Sequence, residues 1–524
     1  MRRRLIAAIT VALTVGYTIR HSAASAHADI PDRQLDQIFA RWNTSSTPGC
    51  AVGAAVDGKP LLAKGYGSAD LENDVPITPD SIFEAGSVSK QFTAAAVLLL
   101  VRDGKLSVDD PVRKYVPELP DYDSPLTIRH VLTHTSGLRD WGSIEAIAGW
   151  PRTRRAYTHA DVLDIVSRQK ALNFAPGTHW SYSNTGFNLA AIIVSRVSGQ
   201  PFAEFTRHRL FEPLGMTHTS WRDDFTHVLK HRAVAYAERD GEFHTDMPFE
   251  NVHGNGGLLT TVGDLLKWNE NLSTPRVGAA DFVSQEQQAG ALNDGRAIGY
   301  GFGLYLSSVQ GIRVVEHSGS TAGYTAHLLR MPDHRISVAV LCNAATARAT
   351  QYAHQVADAL LPNHEHTAPD PAAPLPSTAD LYRNVDNGLV VTSAPAGSTW
   401  SLDRGRLSVT DRYGINLLFE RAPQAAPTAG QLQPLAGVYT SNEAETTLTV
   451  AVEGGALVVK RRPDAVFRLR ALYADAFDAP GLGTVIFRRD AADRVAALSV
   501  VQDRVWDLRF ARQAQARTTS DGSP

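Results

Sequence analysis

Ser87-Val88-Ser89-Lys90, following Gly86 and leading into the apolar stretch 92–101, puts a serine and a lysine three residues apart. If that stretch folds as a helix, Ser87 occupies its first turn and Lys90 shares its face. A serine hydroxyl is a poor nucleophile until a neighbour takes its proton. A lysine can take it only where its ammonium is destabilised, as in an apolar, electropositive pocket at a helix N-terminus. The pair suits a serine acyl-transferase that needs no histidine partner. Alone it is a weak signal. Ser167-Arg168-Gln169-Lys170 repeats it at the end of the amphipathic run 160–170, where Lys170 reads as an ordinary C-terminal cation. Serine at position 87 also reads as a helix cap.

Two later segments supply what such a pair lacks. Tyr182-Ser183-Asn184 precedes the helix-like run 189–197, and His317-Ser318-Gly319-Ser320 follows the β-like run 312–315. Tyr182 beside Lys90 relays a proton to a leaving group, and Asn184 holds a substrate amide. The segment after His317 presents backbone N–H groups to an oxyanion. Tyr382-Arg383-Asn384 repeats the Tyr-x-Asn pattern outside this context. The ordered trio is far more specific than any one member.

With these motifs the chain resembles the serine β-lactamase and penicillin-binding-protein superfamily, in its class-C-like branch of D-Ala-D-Ala carboxypeptidases, D-aminopeptidases and esterases. The second and third elements are Tyr-x-Asn and His-x-Gly rather than Ser-Asp-Asn and Lys-Thr-Gly. The gaps of 95 and 135 residues between Ser87, Tyr182 and His317 fit that branch. The resemblance spans residues 29–361 and includes 132–138 and 256–261, which read as scaffolding. His134 is expected to make a structural hydrogen bond. The resemblance implies an acyl-enzyme on Ser87, with Lys90 and Tyr182 sharing the proton transfers. Backbone N–H groups of Ser87 and Ser320 are the implied oxyanion donors, and Asn184, His317, Gly319 and Ser320 the substrate contacts. His317 in place of lysine weakens the fixed cation for a substrate carboxylate, because histidine is only partly charged at neutral pH.

The N-terminus reads as an address. Arg2-Arg3-Arg4, the apolar run 5–19 and Ala26-His27-Ala28 form a signal peptide ending near Ala28. As a helix the run reaches about 22 Å, short of the ~30 Å hydrocarbon core. The expected destination is secreted or periplasmic, with no stable membrane anchor after cleavage. The formal charge of −3 and the lack of a basic patch argue against a nucleic-acid partner. The expected partner is a small-molecule or peptide substrate, and nothing in the sequence sets an oligomeric state. Cys50 and Cys342 are the only cysteines. In the resembled fold their strands are antiparallel neighbours, which leaves a bridge and two buried thiols both open.

The 524 residues exceed one ordinary core. The expected fold is α+β: an antiparallel sheet flanked by helices with a mainly helical insertion, then an all-β meander or small barrel. Strands are expected at 51–56, 61–67, 301–306, 312–316, 324–331 and 336–342, and a helix at 350–360. The division reads as a signal peptide at 1–28, a hydrolase domain at 29–361 and a Pro/Ala-rich linker at 362–379. A β-like connecting segment at 380–431, a lipocalin-like β-domain at 432–512 and a disordered tail at 513–524 follow. No zinc motif or phosphate loop is present, so no cofactor and no metal are implied; His364 and His366 read as linker surface. The functional expectation is a secreted serine hydrolase acting on peptide or amide bonds, D-configured or cell-wall-derived. An esterase or weak β-lactamase and a non-catalytic binding protein are the alternatives.

Overall fold

Apolar runs from opposite ends of the first 361 residues meet in one antiparallel sheet. Its order is Tyr305–Val309, Ile312–Thr321, Tyr324–Met331, Ile336–Cys342, Cys50–Val56 and Lys59–Tyr66. The computed structural model describes residues 30–309, 311–361, 375, 381–392 and 397–514. The segment expected to be a signal peptide, nearly all of the expected linker with His364 and His366, and the tail from residue 515 lie outside the described residues. Among the described residues no helix is long and apolar enough to cross a membrane.

Both sheet faces are covered. Ala349–Leu360 and Asp32–Ile38 close one face, where Leu35, Phe39, Trp42, Val338, Val340, Val356 and Leu360 pack together. Val262–Asn271 packs on the other, and Ser89–Arg102 shares the hydrophobic core on that side. Thr261 caps the former, its hydroxyl accepting from the Asp264 N–H at 3.2 Å. The helix Ser89–Arg102 is buried from residue 89 to 100, as an all-round apolar helix must be. It packs against Asn184–Ser198, whose residues 184–194 are buried too. Cys50 stands directly opposite Cys342 in the register, and the two form a disulfide, which settles the alternative left open above.

Three local readings need correction. Ser87 lies in a 3-10 turn, Gly86–Val88, that feeds the α-helix rather than within its first turn. The strand expected from 301 begins only at Tyr305, because Gly303 at φ 75° turns the chain against the Lys90–Gln91 backbone. The strand expected to stop at 316 runs to Thr321, so His317 to Ser320 are part of it.

Residues 381–422 form a separate five-stranded sheet around Tyr382, Leu407, Val409 and Phe419. The segment 437–512 is a nine-stranded meander. Its two edge strands, Ala465–Arg468 and Arg470–Ala471, are consecutive in sequence, so the sheet curls into a nearly closed barrel. Leu448, Val450, Val485, Leu498, Val500, Leu508 and Phe510 fill it. Buried Arg139 ties the barrel to the helical region through Glu443 at 2.7 Å and the Asp507 carbonyl at 2.6 Å. Trp506 N–H donates to Asn173 Oδ1 at 2.9 Å.

Candidate active site

Lys90 is fully buried, and its Nζ meets three oxygens: Ser87 Oγ at 3.0 Å, Asn184 Oδ1 at 3.0 Å and the Asn255 carbonyl at 2.7 Å. Burial pushes its pKa well below the usual lysine value; the positive charges of Arg504 and Arg152 add to this and Asp140 opposes it. A neutral amine has two N–H donors and one lone pair. The amide and backbone carbonyl oxygens can only accept, so they take both donors and leave the lone pair for the Ser87 hydroxyl. The geometry thus holds a proton acceptor against the serine. Asn255 is itself fixed by Asn188 Nδ2, which donates to its Oδ1 at 2.6 Å. Asn184 is held by its backbone N–H on Asp140 Oδ2 at 2.7 Å.

Tyr182 lines the same cavity as Ser87, and Lys90 Nζ lies 4.8 Å from its ring centroid. Burial raises the phenol pKa above its ordinary value, so the hydroxyl keeps its proton at neutral pH. It can pass a proton along but does not start as a base. Lys90 is therefore the group poised to accept.

A proton-ordered chain runs behind the tyrosine. The Ser183 N–H donates to His134 Nδ1 at 3.1 Å, and His134 Nε2 lies 3.2 Å from Tyr300 Oη. Tyr300 Oη is 3.0 Å from His317 Nε2, and His317 Nδ1 is 2.6 Å from the Ser318 carbonyl. The two ends fix the tautomers, since a backbone N–H can only donate and a carbonyl can only accept. Neutral His134 then donates from Nε2 to Tyr300, Tyr300 donates to His317 Nε2, and His317 donates from Nδ1 to Ser318. Burial lowers His134 well below its usual value and His317 to about 3. His317 is thus neutral at pH 7, not partly charged, and supplies no cation. His134 makes the structural bond expected of it.

Two glycines bring the third motif against the first. An added Cβ on Gly86 (φ 51°) would fall 2.6 Å from Ser320 N. One on Gly319 would fall 2.0 Å from the Ala85 carbonyl oxygen and 3.0 Å from Ser87 N. Only without those carbons can the Gly319-Ser320 strand edge lie on the Gly86-Ser87 turn, setting the backbone nitrogens of Ser87 and Ser320 on adjoining segments. Donors so placed suit an oxyanion.

These groups open into a cavity of about 1260 Å³ lined by Ser87, Tyr182, Asn184, His317, Gly319 and Ser320. All the sequence-predicted residues but buried Lys90 therefore line one cleft, and Lys90 touches Ser87 from beneath. The repeated motifs do not join them. Ser167 Oγ bonds the Asp164 carbonyl at 2.7 Å, and Tyr382 belongs to the five-stranded sheet. Sequence reasoning missed Asn255, Asp140, Tyr300 and Arg504. Asn255 adjoins the 256–261 segment, which was legible only as scaffolding. Arg504 comes from a hairpin of the barrel, and its guanidinium carbon lies 4.6 Å from the Tyr182 ring centroid. No local pattern announces it.

Glu316, His327 and His354 form the one group among the described residues with metal-ligand chemistry, their ligand atoms lying within 4.8 Å of one another. Glu316 Oε2 already accepts from His327 Nε2 at 3.0 Å and His354 Nε2 at 2.8 Å. Arg412 lies 3.0 Å from Oε1. The Arg412 guanidinium thus already supplies this carboxylate with a positive counter-charge from the protein.

The beta-lactamase family matches residues 35–361. Penicillin-binding protein 4* of Bacillus subtilis (strain 168) is 32% identical over 331 residues, covering 59% of this chain and 71% of that one. A D-aminopeptidase of Cereibacter sphaeroides (strain KD131 / KCTC 12085) is 28% identical over 458 residues, covering 82% and 86%. Among solved structures, the octameric penicillin-binding protein homologue from Pyrococcus abyssi superposes with a TM-score of 0.57 at 23% identity, covering 92% of this chain and 100% of its own. The D-amino acid amidase from Ochrobactrum anthropi SV3 gives 0.54 at 23% identity, with 63% and 97% covered. These two show a shared fold.

Proposed function

The chain belongs to the beta-lactamase family and is a serine hydrolase of the D-aminopeptidase and penicillin-binding-protein kind, and from that premise we propose that it cleaves peptide or amide bonds containing D-amino acids or derived from cell wall, through an acyl-enzyme on Ser87. The observation that carries this reading is the buried Lys90 amine, 3.0 Å from Ser87 Oγ with its other two bonds on carbonyl oxygens.

Ser87 Oγ attacks the substrate carbonyl carbon as its proton passes to Lys90. The tetrahedral oxyanion takes hydrogen bonds from the backbone N–H groups of Ser87 and Ser320; such a donor matters by about 10²- to 10³-fold in rate. The C–N bond breaks as the amine leaves with a proton relayed from Lys90 through Tyr182. Water then gives up a proton to Lys90, attacks the ester and frees Ser87. Asn184, 7% exposed at the cleft floor, orients the acyl-side amide. Export of the protein is part of the proposal; the leader sequence and the Cys50–Cys342 disulfide support it, since disulfides persist in oxidising compartments.

The test is covalent labelling with a fluorophosphonate and a fluorescent penicillin, followed by turnover of D-alanyl peptides, D-amino-acid amides and p-nitrophenyl esters. Label on Ser87 with hydrolysis of a D-configured amide is the expected result. Ser87→Ala should lose both while melting near the wild type, and Ser167→Ala should lose neither. Turnover retained in Ser87→Ala would overturn the assignment.

A further inference from the structure

The cleft is charged with one sign. Its lining carries Arg152, Arg348, Arg412 and Arg504 and no aspartate or glutamate, in a chain of formal charge −3. Two of these guanidiniums have carboxylate partners already: Arg152 Nε donates to Glu250 at 2.7 Å, and Arg412 lies 3.0 Å from Glu316. Arg348 is exposed at the rim, with Gln351 at 3.5 Å. Arg504 has no ion pair among the described residues and is only partly exposed.

The turn that delivers Arg504 is anchored on both sides. The Arg504 carbonyl accepts from the Asp140 N–H at 3.2 Å and from Asn173 Nδ2 at 3.1 Å. The Asp503 carbonyl accepts from Ser181 Oγ at 3.2 Å, and Trp506 N–H is held by Asn173. Those donors belong to the segments that place Asn184 and Tyr182. The guanidinium is thus aimed over the phenol that hands the proton to the departing amine. A cation held there, half-enclosed, with an aromatic face beneath it and no ion pair among the described residues, is left to take its counter-charge from a ligand in the cleft. A planar fork matches a carboxylate with two parallel bonds.

We propose that Arg504, carried in by the barrel, anchors a carboxylate on the leaving-group side of the scissile bond, so that the cleft takes N-acylated D-peptides ending in a free carboxylate and the enzyme acts as a carboxypeptidase. This rests on the hydrolase reading above and gives it a polarity. An aminopeptidase must seat a free ammonium beside the reacting carbonyl, and the lining offers it no carboxylate. In the cleavage the C–N bond breaks and the carboxylate leaves unchanged on the released amino acid, so the anchor makes and breaks no covalent bond.

The experiment compares N-acetyl-D-alanyl-D-alanine with its C-terminal amide and with D-alanyl-D-alanine amide bearing a free amine. The wild type should prefer the free acid. Arg504→Ala should lower the acid-to-amide ratio of kcat/KM by about 10- to 100-fold, mainly through KM, the usual range for a charge-assisted pair. Arg504→Lys should recover part of the ratio, and Arg504→Glu should shift preference toward the free amine. A wild type that prefers either amide would overturn the proposal, as would equal losses on all three substrates in Arg504→Ala, which mark a turn that only shapes the cleft. Fluorophosphonate labelling of Ser87 is read in parallel. Labelling without acid preference sinks the anchor alone, whereas no labelling and no turnover of any substrate sinks the hydrolase reading beneath it.

Discussion

Replacing Tyr300 by phenylalanine should be costly for a single oxygen atom. The ring would stay packed against Tyr305, His134 and Trp180. The loss falls on two groups that now share the phenol: the His134 Nε2–H loses its acceptor and His317 Nε2 its donor. Both histidines are 1% exposed, so water cannot take over. A buried polar group left unpaired costs about 1–3 kcal/mol, so the two together cost about 2–6 kcal/mol, a large share of the 5–15 kcal/mol that holds a typical domain. In a domain of this size that is a fall in Tm of roughly 4–12 °C. Urea unfolding followed by tryptophan fluorescence, with a thermal scan beside it, gives the number. Tyr300→Phe combined with His317→Leu should cost less than the two singles summed, by about 1–3 kcal/mol, because the double variant no longer leaves an orphan at either end of that bond. An unfolding free energy within about 0.5 kcal/mol of wild type for Tyr300→Phe, the range of an inert surface change, would refute the proton-ordered chain.

Other expectations follow from the same geometry. Gly319→Ala puts a methyl 2.0 Å from the Ala85 carbonyl oxygen and must push the strand off the Ser87 turn, so kcat should fall by about 10²-fold, the scale of one lost oxyanion donor; a rate within threefold would contradict the placement. Lys90 is held well below the ordinary lysine pKa by burial, so kcat/KM should rise with pH through that lowered value and reach its plateau below pH 10.5, and Tyr182→Phe should leave this limb in place; a limb that vanishes in Tyr182→Phe would make the tyrosine the base. His317 is neutral in the fold down to about pH 3, whereas the unfolded chain binds its proton near pH 6.5, so stability should rise with pH between about 3 and 6.5; His317→Leu should flatten that rise, and an unchanged slope in urea titrations would oppose the buried neutral assignment. Reducing Cys50–Cys342 should cost about 2–5 kcal/mol, because the bridge spans 292 residues; an unaltered urea midpoint under reductant would show that sheet pairing alone holds the strands.

The sequence by itself determined the chemistry. Ser87 and Lys90 are three residues apart, so any helical turn presents them together. Tyr182 and Asn184 share one segment, and His317 to Ser320 share another. Apolar alternation marked most of the central sheet for the same reason, since a two-residue period has to put one side of each strand in a core. It failed at 301–304 because Gly303 breaks the strand where the chain must turn against Lys90. Only the tertiary structure decided which charges face the substrate. It buried His317 and removed its charge, whereas composition alone suggests a half-protonated ring. It joined His134, Tyr300 and His317 across 183 positions of sequence. It brought Arg504, from the last hairpin of another domain, over Tyr182. Local spacing reports neighbours along one element, while a field inside a cleft is set by side chains that distant elements bury or expose, and that depends on how whole domains dock.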